Sequence, residues 1–407
     1  MATEKLKTFP RAKYSAGPRA NRKTVLTLFG TRPEVIKLAP VIQRLEQRSD
    51  EIRTVNVASG QHKDLLYPFI DMFGIRVDED LRLMTSNQDP SELCDRIFAA
   101  LGPIAERESP DLIIVQGDTT TALAGALLGR DRGIRVAHVE AGLRSGNLLS
   151  PYPEELNRRF ITQLATFHFA ATPKNRQTLL SEGINDDSIF VTGNPVVDAL
   201  QLVRDGDEGL SAAKLLKKIG NRKCIVLTTH RRESFGDAIQ ANLKVLTKFV
   251  DEHEDLVLVF PIHPNPNVQM PSRKICGGHP RIFMTEPMDY RNFIQVLSRS
   301  WLIVSDSGGV QEEVPSLGKP LLILRENTER SECIDAGMAK LVGGRPETLM
   351  RMLEEAYQKD SWVNRVSSVQ NPFGSGNSGE QIVGHVSELL DNAPVGVAKL
   401  KAKKVAR

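Results

Sequence analysis

The chain has 407 residues, which favours two cores of ordinary size and hence a cleft, and is 40% hydrophobic, 25% charged and 5% aromatic. No apolar run approaches the ~18 residues of a membrane span, and the first residues hold no signal-peptide core, so neither membrane insertion nor export is expected. The formal charge of +3 resides in the ends: residues 1–23 carry +6 and residues 392–407 carry +5, leaving −8 on a body that does not resemble a nucleic-acid face.

The two basic tails read as solvated, disordered ends. Cys94, Cys224, Cys276 and Cys333 are widely spaced and form no CxxC pair, which suits a reducing cytoplasm and argues against a metal site.

From residue 24 onward, short β-branched runs alternate with segments of helical period. Strands are predicted at 25–29, 53–58, 112–115, 135–139, 167–171 and 189–192. A second series follows at 224–228, 256–261, 281–284, 302–304, 321–324 and 339–342. Continuous apolar strands separated by helices indicate parallel sheets buried on both faces, so the fold class is α/β with two doubly wound Rossmann-like domains. The expected bounds are a first domain at 24–195, a second at 196–375 and a final helix at 381–390 within a 376–391 segment. In such sheets ligands bind beyond the carboxyl ends of strands, so the strand-to-helix junctions are the places where chemistry is expected.

The first junction, FGTRPEVIKLAP, joins Gly30 and Pro33, which suit a tight turn and a first helical turn, to the cations Arg32 and Lys37. These two read either as an anion pocket with the helix start or as plain surface charges. In VQGDTTTALAG, Asp118 follows a strand and precedes a threonine-rich helix start, as a reactive carboxylate or as an N-cap. AHVEAGLRSG puts Glu140 at a strand end, where a carboxylate needs a partner or a use. SPYPEELNRRF opens a helix with Glu154 and Arg158 at i,i+4, and alone this pattern reads as a surface ion pair of about 0.2 to 0.5 kcal/mol.

The second series begins with LTTHRRESFG, where His230 has either a structural or a phosphate-side role. In VSDSGGVQEE, the strand 302–304 runs into Ser307-Gly308-Gly309, which present successive backbone N–H groups, with Glu313 one turn later to accept from vicinal hydroxyls. That pairing fits a nucleoside diphosphate with its ribose, and without Gly-Lys-Ser/Thr the loop is no ATPase P-loop. GSGNSG at 374–379 matches G-x-G-x-x-G in letters only, because no strand precedes it.

Together FGTRPE, QGDTTT, HVEAGLRSG, PEELNR, THRRES, SDSGGVQEE, PSLGKP and NTERSE resemble the non-hydrolysing UDP-N-acetylglucosamine 2-epimerases, from residue 24 to about 390. The resemblance implies a GT-B type fold with the active site between the domains and a last helix that returns to the first. It also implies reversible inversion at C2 of UDP-N-acetylglucosamine to give UDP-N-acetylmannosamine. UDP is eliminated to leave 2-acetamidoglucal and is then re-added, with no cofactor and no metal. By motif, Asp118, Glu140 and Glu154 resemble the proton-transfer carboxylates, with their faces unassigned, and Arg158 and His230 the groups near sugar and diphosphate.

Arg32 and Lys37 resemble first-domain ligands, and Ser307, Gly308, Gly309, Glu313 and Arg330 the nucleotide ligands. Phe293, near Tyr290, would pack on uracil and the backbone of Met288 would read its edge. Departures are Gln116, where many members have His, Thr229 in place of a Gly, and Met288 in place of a side chain often Gln. Gln61, His62 and Arg231 resemble an activator site for a second UDP-N-acetylglucosamine, with Leu65 in place of the usual Met.

The expected setting is a cytoplasmic homodimer that supplies activated mannosamine for envelope polysaccharide. The competing readings are an epimerase for a UDP-diacetamido uronic acid, a GT-B glycosyltransferase on the same scaffold, and a non-catalytic UDP-sugar sensor.

Overall fold

A computed structural model describes residues 22–60, 63–83, 89–204, 209–231 and 234–391. The basic tails, apart from Arg22 and Lys23, and the pair Gln61 and His62 lie outside the described residues. The chain forms two compact units, one of residues 1–199 with 374–407 and one of residues 200–373.

In the first unit seven strands pair in parallel in the order β3-β2-β1-β4-β5-β6-β7. They are β1 (Lys23–Phe29), β2 (Ile52–Ala58), β3 (Glu79–Asp80), β4 (Leu112–Gln116), β5 (Arg135–Ala141), β6 (Phe167–Ala170) and β7 (Ile189–Val191). Leu26, Leu28, Val55, Val57, Ile113 and Val115 pack one face against Ile97, Leu101, Ala122 and Ala126 of the flanking helices. Each such fully buried Leu, Ile or Val contributes about 1.5 to 3 kcal/mol over an exposed one, which is why these runs show no polar alternation.

β3 carries no apolar pattern and was not predicted. Its two acids pair with Val57 and Ala58 of β2, and Asp80 accepts from Tyr67 and, at 2.9 Å, from Arg82. β5 runs two residues beyond its predicted end, so Glu140 lies within a strand.

The last helix, Ser378–Asp391, belongs to the first unit, and the GSGNSG segment is the irregular stretch before it, with no strand ahead. Asp198 holds its start by accepting from Ser378 N at 3.1 Å and Gly379 N at 2.9 Å. Gly379 sits against the helix Arg32–Gln47 so closely that a Cβ there would lie 3.0 Å from the Pro40 carbonyl. Any side chain there would push the two helices apart by a few tenths of an ångström.

The second unit has six parallel strands in the order β10-β9-β8-β11-β12-β13. They are β8 (Lys223–Thr228), β9 (Leu256–Pro261), β10 (Ile282–Thr285), β11 (Leu302–Ser305), β12 (Leu321–Ile323) and β13 (Ala339–Leu341). Ile225, Leu227, Leu258, Phe260, Leu302 and Val304 form its core with Leu243, Leu246 and Phe249 of the helix Asp237–Glu252. The strand order reverses between β1 and β4 in the first sheet and between β8 and β11 in the second, and ligand crevices open at such points.

Candidate active site

The reversal point of the first sheet gathers the loop after β1, the loop after β4 and the end of β5. Lys37, on the helix Arg32–Gln47, puts its Nζ 2.6 and 2.7 Å from the two carboxylate oxygens of Glu140. Both side chains are buried, so Lys37 is not a surface charge. Gln116, the last residue of β4, donates its amide to Glu140 Oε2. Glu140 has φ 68°, an uncommon conformation for a residue with a side chain, at a register shift between Val139 and Ala141 in the β5–β6 ladder. Strain of this kind costs of order 1 to 3 kcal/mol and concentrates at functional sites. Here it turns the carboxylate towards Lys37 and Gln116.

Asp118 is not the cap of the helix that follows. Thr119 is, with its hydroxyl accepting from Ala122 N at 3.0 Å, which leaves the Asp118 side chain to Arg158 at 2.5 Å. Arg158 also meets Glu155 at 2.9 Å and is buried. The i,i+4 ion pair between Glu154 and Arg158 is therefore not formed, because Glu155 and Asp118 take the guanidinium. Glu154 Oε2 is instead buried without a hydrogen-bond partner, and a buried acceptor of that kind calls for a ligand or water.

Behind these groups His138 Nε2 donates to the carbonyl of Gly117 at 2.7 Å and so steadies the turn that carries Asp118. A carbonyl only accepts, so Nε2 holds the proton. Burial, partly offset by that hydrogen bond, lowers the His138 pKa to about 3, and burial with the nearby Arg144 lowers that of His168 to about 4. Glu34 ties two junctions together. Its Oε2 accepts from Gly30 N at 3.0 Å and from Thr31 N at 2.7 Å, and its Oε1 from the Thr119 hydroxyl at 2.7 Å. Burial raises its pKa against those hydrogen bonds. Arg32 stays exposed, with its guanidinium 5.7 Å from the ring centre of Phe69.

In the second unit Asp306, fully buried at the end of β11, organises the loop after β8. It accepts from Thr229 Oγ1 at 2.8 Å, His230 N at 3.0 Å, Arg231 N at 3.1 Å and Ser234 Oγ at 2.8 Å. Burial pushes its pKa up, but the His230 contacts, the Arg231 N–H and the Thr229 hydroxyl outweigh it and bring the value to about 2. His230 Nδ1 lies 3.3 Å from the same carboxylate, and the imidazole, 42% exposed, stacks on His263. His230 is thus aimed by Asp306 rather than used as core.

The N–H of Ser307 is taken by Ser305 Oγ at 3.0 Å, so the nest expected from three successive residues reduces to the first two helical N–H groups, Gly308 and Gly309. Cations compensate. A Cβ at Gly308 would lie 2.9 Å from Arg330 Nη1 and 3.4 Å from Arg231 Nη2, so both guanidiniums converge on this glycine. Arg330 is held by Glu312 at 2.5 Å and by Glu329. Arg231 is beside Gly308 and Arg330, whereas Gln61 and His62, expected with it at an activator site, are outside the described residues.

Glu313 is buried and accepts from the Tyr290 hydroxyl at 2.9 Å. Phe293, half-buried, is one turn after the N-cap Asp289 of the helix Tyr290–Ser298, and Met288 precedes that cap in the loop after β10.

The model of the UDP-N-acetylglucosamine 2-epimerase family matches residues 43–387. This chain belongs to that family. The UDP-N-acetylglucosamine 2-epimerase of Salmonella typhimurium is 41% identical over 365 residues, covering 88% of this chain and 97% of that protein. Among solved structures, the Neisseria meningitidis UDP-GlcNAc 2-epimerase bound to UDP-GlcNAc superposes with a TM-score of 0.82 at 38% identity, covering 90% of this chain and 100% of that one. The S. aureus protein MnaA, solved with UDP, gives 0.84 at 38% identity over 91% and 97%. The fold is accordingly of the GT-B type, with two Rossmann-like α/β units.

Within this epimerase-family frame the structure also accounts for the departure at Gln116: its amide supplies a donor to Glu140. Glu34, His138, Glu155, Asp306 and Tyr290 were missed as site residues because each acts through another residue. Only Glu34 left a local signal, since Thr31-x-x-Glu34 has the spacing of a capping box.

Proposed function

We propose that this chain interconverts UDP-N-acetylglucosamine and UDP-N-acetylmannosamine as a non-hydrolysing 2-epimerase, an isomerase of cytoplasmic nucleotide sugars that works as a homodimer. Family membership supports the reaction, and the single observation that carries the chemistry is the Lys37–Glu140–Gln116 cluster one strand from the Asp118–Arg158 pair. Among the described residues no helix is long and apolar enough to cross a membrane.

In the forward step a carboxylate of the first unit removes the C2 proton and the C1–O bond breaks, with its electron pair leaving on UDP. The product is 2-acetamidoglucal. Re-addition reverses the sequence: UDP oxygen bonds to C1 while a proton reaches C2 from the opposite face. Two differently partnered carboxylates suit that task. The guanidinium of Arg158 holds its protons, so it acts as a fixed charge for Asp118, whereas the Lys37 ammonium beside Glu140 can share one. Arg231, Arg330 and His230 match the charge that builds on the departing diphosphate.

Proton NMR in D2O tests this reading. Deuterium at C2 together with a growing UDP-N-acetylmannosamine signal is expected. Release of free UDP without exchange would make the chain a hydrolase, and an unchanged spectrum would make it a sensor. Light scattering of the purified chain tests the dimer, and a single-chain mass would overturn it.

A further inference from the structure

The stretch Glu155 to Arg158, at the start of the helix Glu154–Leu164, touches both junctions of the first unit that carry the candidate carboxylates. Asn157 Nδ2 donates to the main-chain carbonyl of Asp118 at 2.9 Å, and Arg158 Nη2 meets the Asp118 carboxylate at 2.5 Å. Glu155 Oε2 accepts from Arg158 Nη1 at 2.9 Å and from Ser145 N, also at 2.9 Å, in the loop that leaves β5 just after Glu140. The two junctions are neighbours, since a Cβ on Gly117 would lie 3.6 Å from Glu140 Oε2.

Glu155 is 0% exposed, whereas the Asp118 side chain is 23% exposed. They are the inner and outer ends of a carboxylate–guanidinium–carboxylate chain. A carboxylate withdrawn from water is costly unless it is paired, and Arg158 supplies the pairing. The geometry then does more than compensate charge. A guanidinium is planar and its donors are fixed relative to one another, so an acceptor on Nη1 dictates where Nη2 points. With Glu155 one turn earlier on the same helix, the arginine side chain gives up its rotamer freedom and delivers Nη2 to Asp118. The Ser145 contact extends that restraint to the loop behind Glu140, and Arg144 reinforces it by donating to Thr162 of the same helix at 2.9 Å.

We propose that Glu155 is a positioning residue that holds the Arg158 guanidinium on Asp118 and locks this pair to the loop that follows Glu140. It acts on turnover through Arg158 and Asp118. The inference rests on the proposed proton-transfer role of Asp118. A merely structural tie would lower activity to the same degree whether or not residue 118 is an aspartate. A positioning residue loses its effect once the carboxylate it positions is gone.

The test is a kinetic double-mutant cycle on the full chain. Glu155→Gln, Asp118→Asn and the double variant turn over UDP-N-acetylglucosamine, with a thermal melt of each as the folding control. Glu155→Gln should lower kcat about ten-fold, the difference between a charge-assisted and a neutral hydrogen bond, with KM held within about two-fold. In the Asp118→Asn background the same change should cost less than about two-fold. If Glu155→Gln does not fold, Glu155→Asp, which keeps the charge but withdraws it by one methylene, replaces it in the cycle with the same expectation. An equal loss in both backgrounds would overturn positioning in favour of a structural tie. Unchanged kcat in a folded Glu155 variant, or a rise in KM alone, would overturn it as well. Turnover by Asp118→Asn within about ten-fold of the wild-type chain would instead overturn the role of Asp118 on which the inference rests, and a wild-type chain without turnover would overturn the function itself.

Discussion

Lys37 and Glu140, 103 residues apart, share a bidentate contact of 2.6 and 2.7 Å at the strand-order reversal of the first sheet, both nearly excluded from water. Removing one partner strands the other charge, at a cost of about 3 to 5 kcal/mol, whereas removing both leaves two neutral side chains. Lys37→Met and Glu140→Gln should each lower the urea midpoint, and the double variant should be less destabilised than the sum of the two single effects. Strict additivity in the double-mutant cycle would show that the contact is not formed in solution.

Turnover separates from binding at Asp118. Asp118 and its partner Arg158 belong to the first unit and the proposed nucleotide groups to the second, so Asp118→Asn is expected to keep UDP affinity within about two-fold and to lower kcat at least ~10²-fold, the usual worth of a proton-transfer group. Calorimetry with UDP and a coupled assay of epimerisation measure the two effects. A collapse of UDP binding would reassign Asp118 as a nucleotide ligand.

Gly308→Ala sets a methyl group 2.9 Å from Arg330 Nη1, and Glu312 and Glu329 prevent the guanidinium from retreating freely. UDP affinity should fall about ten-fold or more, since charge-assisted hydrogen bonds to phosphate depend on geometry. Unchanged affinity would place the diphosphate elsewhere.

Stability should fall in acid in two windows. His138 has a folded pKa near 3 against an ordinary 6.5, so the unfolded chain takes up a proton that the folded chain refuses, and stability drops as pH falls from about 6.5 towards 3. Asp306, depressed to about 2 from 3.8, contributes stability that is present above about pH 4 and is lost as pH falls towards 2. Urea midpoints recorded from pH 7 to pH 3 should decline in the wild-type chain, and His138→Gln should flatten the upper part of that slope. An unchanged slope in His138→Gln would show that this imidazole is not the group responsible.

Most of the architecture was legible in the linear chain. Buried parallel strands must be apolar on both faces, so the runs at 25–29, 112–115, 224–228 and 302–304 announce themselves, and the polar and glycine residues after them mark the ligand-bearing ends. β3 was illegible because Glu79 and Asp80 pair through their backbones at a sheet edge, with no apolar face to bury. The partnerships were illegible for a different reason. Local spacing offered Glu154 to Arg158 and the cap position to Asp118, yet the sheet carries Asp118 to Arg158 and Thr119 takes the cap.

The alternation of strand and helix, and the residue types waiting at each strand end, were determined by the sequence, because burial on both faces of a sheet constrains composition position by position. Which carboxylate meets which cation was decided only by the tertiary structure. Strands brought side by side from distant parts of the chain set those distances, and the pairing of Lys37 with Glu140, Asp306 with His230 and Tyr290 with Glu313 depends on distance alone.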